Sequence, residues 1–391
     1  MKESDQIIRI PELFTLILCE LDARDQRKLM LVSKYLFYFV GPIAWKRLPR
    51  IDFLMRLIRG TIVDPLTVIL PRFFKYKILI TLPSNPDLSR YDIYAPWVRE
   101  LEFFRERILV GIENTGGLLA LLELNGRPLL PNLNRLIVYS IIPITDDSVH
   151  LVNMFMTSSL TDIRTILCEK EKDDVIRTFR IPWSSAPIFM KSISKKCPQI
   201  QNLEFYPLAE AGWGGIPRPR DQCRNALSSF LSLRSFSSTT YVLEPTTFGT
   251  LGELPHLESL SVRGLATENS ILDKRLSIPE TWFPSLKDLQ LYEVHHEDIQ
   301  TLWKQPTIVK KLTSVLVQID RWPVKDSPAN ILRGQGWIGP FLASLLHFSP
   351  CLQKAVFYIG NGDSKVDIIS QNLGSIGKGG LSPGDVRFMA S

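Results

Sequence analysis

Leu257-Glu258-Ser259-Leu260-Ser261-Val262 and Leu286-Lys287-Asp288-Leu289-Gln290-Leu291 share one spacing. An apolar residue is followed by two variable positions, an apolar residue, one variable position and a last apolar residue. The unit returns as Val98-Arg99-Glu100-Leu101-Glu102-Phe103, Leu133-Asn134-Arg135-Leu136-Ile137-Val138, Ile200-Gln201-Asn202-Leu203-Glu204-Phe205 and Leu312-Thr313-Ser314-Val315-Leu316-Val317. Weaker copies lie at Leu160–Thr165, Leu233–Ser238 and Leu352–Phe357. Their central apolar residues fall at 101, 136, 163, 203, 236, 260, 289, 315 and 355, at intervals of 24 to 40 residues.

The closing apolar–variable–apolar step alternates with period 2, as a short strand does. Pro96, Pro131, Pro198, Pro255, Pro284 and Pro350 stand just ahead of six units. A proline there disfavours helix at the preceding residue and has no N–H to donate, which suits the start of a strand after a helix end. Leu118–Leu124 and Phe341–Leu346 have helical spacing between units. Strand, turn and helix repeated at this period predict an α/β fold. It is an irregular leucine-rich-repeat solenoid with parallel strands on the concave face and helices outside. A non-repeat α/β domain with parallel strands is the alternative.

The chain has 391 residues, enough for two or three domains or for one domain and a repeat array. Its 45% apolar and 22% charged residues exclude wholesale disorder. The 46 basic residues exceed the 40 acidic ones by only six and form no long run, so no nucleic-acid footprint is expected. No apolar run reaches membrane-spanning length, and the polar start Met1-Lys2-Glu3-Ser4-Asp5-Gln6 lacks the form of a signal peptide. Five scattered Cys without a CxxC motif point to a reducing compartment, cytoplasmic or nuclear.

Residues 7–49 differ from the array. Leu13, Leu16, Ile17 and Leu21 define one helical face, which Phe14 and Leu18 widen. Asp22 and Asp25 suit the N-cap of a second helix carrying Leu29, Val32, Leu36 and Phe39. Gly41-Pro42 breaks that pattern, and Trp45 closes it. So much apolar surface in about 43 residues buries poorly alone and requires a neighbour or a partner. Residues 50–92 read as a linker with the first helical units, 93–360 as the array, and 361–391 as a Gly-rich loose tail. Residues 207–226 and 321–336, rich in Pro, Gly and Arg, read as inter-repeat loops.

Ile10-Pro11-Glu12-Leu13, Ile17, Leu21-Asp22, Asp25, Leu31-Val32-Ser33-Lys34 and Trp45 resemble an F-box. Ile10 replaces the usual Leu, Ser33 the usual Cys, and Gln26 stands where Leu is frequent, weakening one core contact. With Tyr94-Ala95-Pro96-Trp97-Val98-Arg99-Glu100-Leu101, the chain is similar to fungal F-box proteins with degenerate leucine-rich repeats. The resemblance spans about residues 7–360. It implies docking of residues 7–49 on a Skp-type linker, and through it on a cullin–RING ubiquitin ligase. Ile10, Pro11, Leu13, Ile17, Leu18, Val32, Ser33, Lys34, Pro42 and Trp45 are the expected contacts. The repeats would select a target protein through Glu100, Glu102, Arg135, Asn202, Glu204, Ser259, Ser261, Asp288, Gln290 and Ser314. A protein-interaction scaffold unconnected to ubiquitination is the second reading.

Catalytic motifs fail on their chemistry. Gly380-Leu381-Ser382-Pro383-Gly384 has the spacing of a nucleophile elbow, but Pro383 lacks the N–H an oxyanion hole needs. Gly374-Ser375-Ile376-Gly377-Lys378-Gly379 lacks the spacing and the hydroxyl of a Walker loop. His295-His296-Glu297-Asp298 is consecutive, so its side chains diverge; it reads as a solvated turn or helix start. Asp146-Asp147 and Asp173-Asp174 read as caps and loops, and Trp183, Trp213, Trp303, Trp322 and Trp337 as packing residues. No enzymatic activity, metal or cofactor is expected.

Overall fold

The computed structural model describes residues 10–66, 76–103, 108–139, 146–166, 180–208, 220–264, 270–273, 275, 277–319, 341, 347–360, 365–370 and 389–390. The chain is α/β and divides into two units, Met1–Ser185 with Lys195–Cys197, and Ala186–Ser194 with Pro198–Ser391.

The first unit opens with three helices: α1 (Pro11–Glu20), α2 (Ala23–Leu29) and α3 (Lys34–Ala44). Pro11 lies in the first turn of α1, where its missing N–H is not needed. Asp22 caps α2 by accepting from Asp25 N at 2.8 Å, and Ser33 caps α3 by accepting from Leu36 N at 3.1 Å. The cap at Ser33 divides what the apolar spacing reads as one helix, leaving Leu31 and Val32 in the turn. Pro42 does not break α3. It lies in the last turn, where only one intrahelical bond is lost, and the helix runs on to Ala44.

Phe14 and Leu18 of α1, Met30, and Leu36, Val40 and Ala44 of α3 form the core of this module. The module is anchored downstream. Phe37 meets Tyr94 at 5.8 Å and Trp97 at 5.5 Å, and the Trp45 and Tyr94 ring centres are 4.5 Å apart. Trp97 lies so close on α3 that any side chain at Gly41 would strike its ring. Part of the surplus apolar surface thus finds its neighbour in Tyr94–Trp97.

The first unit continues with β1 (Arg47–Leu48), α4 (Asp52–Met55), β2 (Ile62–Leu66), β3 (Tyr76–Thr81), α5 (Tyr91–Tyr94), β4 (Glu100–Phe103) and β5 (Ile108–Glu113). After α6 (Thr115–Leu124) come β6 (Arg135–Tyr139), α7 (Asp146–Asn153), β7 (Asp162–Ile166) and β8 (Arg180–Pro182). β1, β4, β6 and β7 pair in parallel. Residues 50–92, expected as a linker with helices, also contribute strands. β2 is antiparallel to β3, which is parallel to β5 in a separate three-stranded sheet.

The second unit holds most of α8 (Ala186–Lys196), then β9 (Asn202–Leu208), α9 (Arg220–Leu227), β10 (Ser235–Thr239), α10 (Pro245–Gly252), β11 (Ser259–Arg263) and β12 (Asp288–Tyr292). It continues with α11 (His296–Trp303), α12 (Pro306–Val309), β13 (Ser314–Ile319), β14 (Lys354–Gly360), β15 (Lys365–Ser370) and β16 (Met389–Ala390). β9 to β14 are parallel neighbours in chain order. β15 turns antiparallel on β14, and β16 on β15, so part of the Gly-rich tail is strand. Helix α9 occupies the end of the expected 207–226 loop. Residues 321–336, Asp173-Asp174, the two glycine motifs at 374–384, and Trp213, Trp322 and Trp337 lie outside the described residues.

The repeat reading and the strand register agree residue for residue. Leu101, Leu136 and Ile163 are paired in the first unit, and Leu203, Phe236, Leu260, Leu289, Val315 and Ala355 in the second. All are buried. Eight of the nine units begin on a shared acceptor. Lys287 O, for example, accepts from Thr313 N at 2.8 Å and Ser314 N at 3.0 Å, and Glu258 O accepts likewise from Lys287 and Asp288. The prolines supply acceptors too: Pro96 O takes Asn132 Nδ2 at 2.8 Å, Pro131 O takes Ser159 Oγ at 3.0 Å, and Pro255 O takes Ser285 Oγ at 2.7 Å. A residue chosen for its missing N–H therefore also ties one repeat to the next through its carbonyl.

Candidate functional site

The helical module presents its apolar residues in two sets. Phe14 and Leu18, four apart, face inward. Leu13, Leu16 and Ile17 lie on the other side of α1 and are exposed, as are Ile10, Leu31, Val32, Tyr35 and Tyr38. Leu31 and Val32 are 86% and 69% exposed, far beyond what a packed turn shows. Eight of the fifteen exposed large apolar residues among those described fall within residues 10–38. Such concentration makes this module a candidate interaction surface, whereas scattered exposed apolar residues need no explanation. Lys34, Tyr35, Tyr38 and Phe39 line a shallow concavity within it.

Ile10, Pro11, Leu13, Ile17, Val32, Ser33, Lys34 and Pro42 all lie exposed on the module. Leu18 does not. It is fully buried in the module core, because it shares the inward face with Phe14. Trp45 is half-buried against Tyr94. Leu16, Leu31, Tyr35 and Tyr38 belong to the surface and were not among the expected contacts. The stripe at 13, 16, 17 and 21 marked Leu16, but nothing in periodicity separates a free stripe from a packed one.

Gln26 carries a role its position conceals. Its buried amide donates to Leu18 O at 2.7 Å and Leu21 O at 3.1 Å, closing the C-terminal end of α1. Leu18 O also accepts from Leu21 N at 3.2 Å, so the amide adds a second bond there and supplies Leu21 O with a donor.

The second candidate surface is the strand face turned away from the buried repeat positions. In the first unit it is a ladder of alternating charge. Arg47, Glu100, Arg135 and Asp162 occupy one register column. Arg47 Nε lies 2.8 Å from Glu100, Arg135 pairs with Glu100 at 3.2 Å and Asp162 at 3.0 Å, and Arg164 pairs with Asp162 at 2.8 Å. Arg47 also pairs with Glu102, whose carboxylate is buried. Glu100 and Arg135 therefore engage each other, and Glu102 is out of reach of solvent. Arg47, Asp162 and Arg164 complete the ladder; sequence reading missed them because β1 is two residues long and β7 carries a weak copy of the unit.

In the second unit the face is rich in hydroxyls. Asn202, Ser235, Ser259, Asp288, Ser314 and Lys354 form one column, and Glu204, Ser237, Ser261, Gln290, Leu316 and Val356 the next. Asp288 accepts from Ser259 Oγ at 2.8 Å and Gln290 Nε2 at 2.7 Å, and Tyr292 OH donates to Gln290 Oε1 at 3.1 Å. Asn202, Glu204, Ser259, Asp288, Gln290 and Ser314 are half-exposed. Ser261 is buried at the floor and cannot meet a ligand directly.

His295-His296-Glu297-Asp298 is a helix start, as its position suggests, with its first three residues half-exposed and only Asp298 withdrawn from solvent. His295 caps α11, accepting from Glu297 N through Nδ1 at 3.3 Å. Asp298 is buried and accepts from Ser270 Oγ at 2.6 Å, Ile271 N at 3.0 Å and Leu272 N at 2.9 Å. Among the described residues no cluster of His, Cys, Asp or Glu could hold a metal. No helix among them is long and apolar enough to cross a membrane. Trp183 and Trp303 are buried.

No model of a known protein family matches this chain, and no curated protein matches it.

Proposed function

We propose that the chain is an F-box receptor: a non-catalytic, substrate-recognition subunit of a Skp–cullin–RING ubiquitin ligase. The helical module would dock on the Skp-type linker, and the strand faces of a leucine-rich-repeat array would hold the target protein. The observation that carries this reading is the exposed apolar set at Ile10, Leu13, Leu16, Ile17, Leu31, Val32, Tyr35 and Tyr38 on a module whose own core is already complete. A helical surface of this kind gains by burial in a partner's apolar groove. The receptor would act by position, raising the effective concentration of a target lysine near the conjugating enzyme. No cofactor, metal, nucleic acid or membrane enters this reading, and it places the protein in the cytoplasm or nucleus.

The test uses the full chain, because Phe37 and Trp45 complete their packing only against Tyr94 and Trp97. Purified protein should co-elute with a Skp-type linker. Leu13→Asp and Val32→Asp should abolish co-elution without lowering the melting temperature, since both side chains are exposed. A folded wild-type chain that fails to bind the linker would sink the ligase reading.

The packing of α3 on Tyr94–Trp97 favours the second reading, an interaction scaffold whose first residues cap the array. That reading predicts unchanged linker behaviour in every variant and leaves the exposed apolar set without a purpose.

A further inference from the structure

We infer that Arg263 is the anion-recognising residue of the second unit's strand face, placed to receive one carboxylate from an extended segment of a target protein. The inference rests on the strand face being the target surface, as proposed above, and adds the chemistry of what binds there.

Arg263 closes β11, two residues beyond Ser261 and on the same face. It pairs in register with Thr239 on one side and Tyr292 on the other. Its guanidinium carbon lies 4.0 Å from the Tyr292 ring centre and 5.9 Å from that of Tyr206. Nε donates to Tyr206 OH at 3.2 Å. A guanidinium has five N–H donors, and this contact uses one. The remaining four, on the two terminal nitrogens, form no hydrogen bond or ion pair with any described residue, and Arg263 is half-exposed.

The contrast with the first unit is the point. There Arg47, Arg135 and Arg164 are each answered by carboxylates of the same face. Arg263 is held by aromatic rings instead, which order the fork without neutralising it. A planar fork fixed before binding loses little entropy when it accepts a carboxylate through two parallel bonds.

The neighbouring charges select a single negative group. Asp288 stands one strand over and two columns back, and Glu204 lies in the column between. Both would repel a phosphate dianion more than a carboxylate. Ser259 and Arg263 are four residues apart, about 13 Å along the strand. An extended segment lying along β11 would therefore meet Asp288 at one end and Arg263 at the other. Its acidic residue would lie at the Arg263 end, with a hydroxyl, amide or basic group about four residues away.

The experiment selects a phage-displayed library of random dodecapeptides on the full-length protein. Clones that bind the strand face are those lost on Leu316→Asp, a change on the same face away from Arg263. These clones should share Asp or Glu at one position. Changing that residue to its amide should weaken binding at least tenfold in wild type and have no effect in Arg263→Met, which keeps the stack on both rings without the charge. Arg263→Lys should bind weakly, because the fork is gone. Face-dependent clones with no shared acid, an amide penalty that persists in Arg263→Met, or tighter binding of a phosphoserine peptide would each overturn the assignment. If no clone depends on Leu316, the strand-face reading itself falls and the assignment with it.

Discussion

Gln26 is where the resemblance and the structure differ most sharply. An apolar residue is frequent there in F-box sequences, so Leu would be the expected improvement. The geometry reverses that expectation, because the amide satisfies Leu18 O and Leu21 O. Gln26→Leu should cost about 1–3 kcal/mol, because Leu21 O loses its donor and Leu18 O keeps that of Leu21 N alone among the described residues. A thermal melt that is unchanged or higher would contradict the assignment. Asp298 is comparable. It holds Ser270, Ile271 and Leu272 through a buried carboxylate, and its sequence context of two His and a Glu conceals this. Asp298→Ala should free the amides of 271 and 272 to exchange hydrogen at least tenfold faster. The thiols of Cys197 and Cys223 are pushed up to about 12 by burial. A raised thiol pKa means that their contribution to stability is whole below about pH 8.5 and is lost as the pH climbs toward 12. In a Cys168→Ser background, Cys19 and Cys351 should react with maleimide at pH 8, while Cys197 and Cys223 should react only after unfolding.

At the scale of elements, the strands were legible and the helical module was only half so. The repeat unit predicts strand position and register together, because its apolar positions must share one buried column. It could not predict β2 and β3, which lie outside the repeat and form a separate sheet with β5. In the module, caps decide more than periodicity. Ser33 starts a new helix in the middle of a continuous apolar spacing, and Pro42 is tolerated because its place in the last turn costs one bond. Which apolar face is core depends on what α1 packs against, and that partner, α3 with Tyr94 and Trp97 behind it, is distant in sequence. The contact of Gly41 with Trp97 tests this anchoring. Gly41→Ala should destabilise the chain by about 1–3 kcal/mol through overpacking. Trp97→Phe in the same chain should recover part of that loss, and strictly additive effects of the two changes would contradict a direct contact.

At the scale of the molecule, two kinds of surface stand apart. The strand face of the first unit answers its own charges, so changes there should act on stability before binding. Arg47→Ala exposes the problem most directly, since the carboxylate of Glu102 is buried beneath it. The face of the second unit is hydroxyl-rich and leaves Arg263 unanswered among the described residues. The apolar set of residues 10–38 is exposed as well, and the account of function depends on it. The measurement that tests this most directly is oxidative footprinting of the full-length protein with and without a Skp-type linker. The account predicts protection of Leu13, Leu16, Ile17, Leu31, Tyr35 and Tyr38 on addition of the linker, with Phe14 and Leu18 unreactive in both states. A footprint unchanged by the linker, or protection confined to the strand faces, would contradict it.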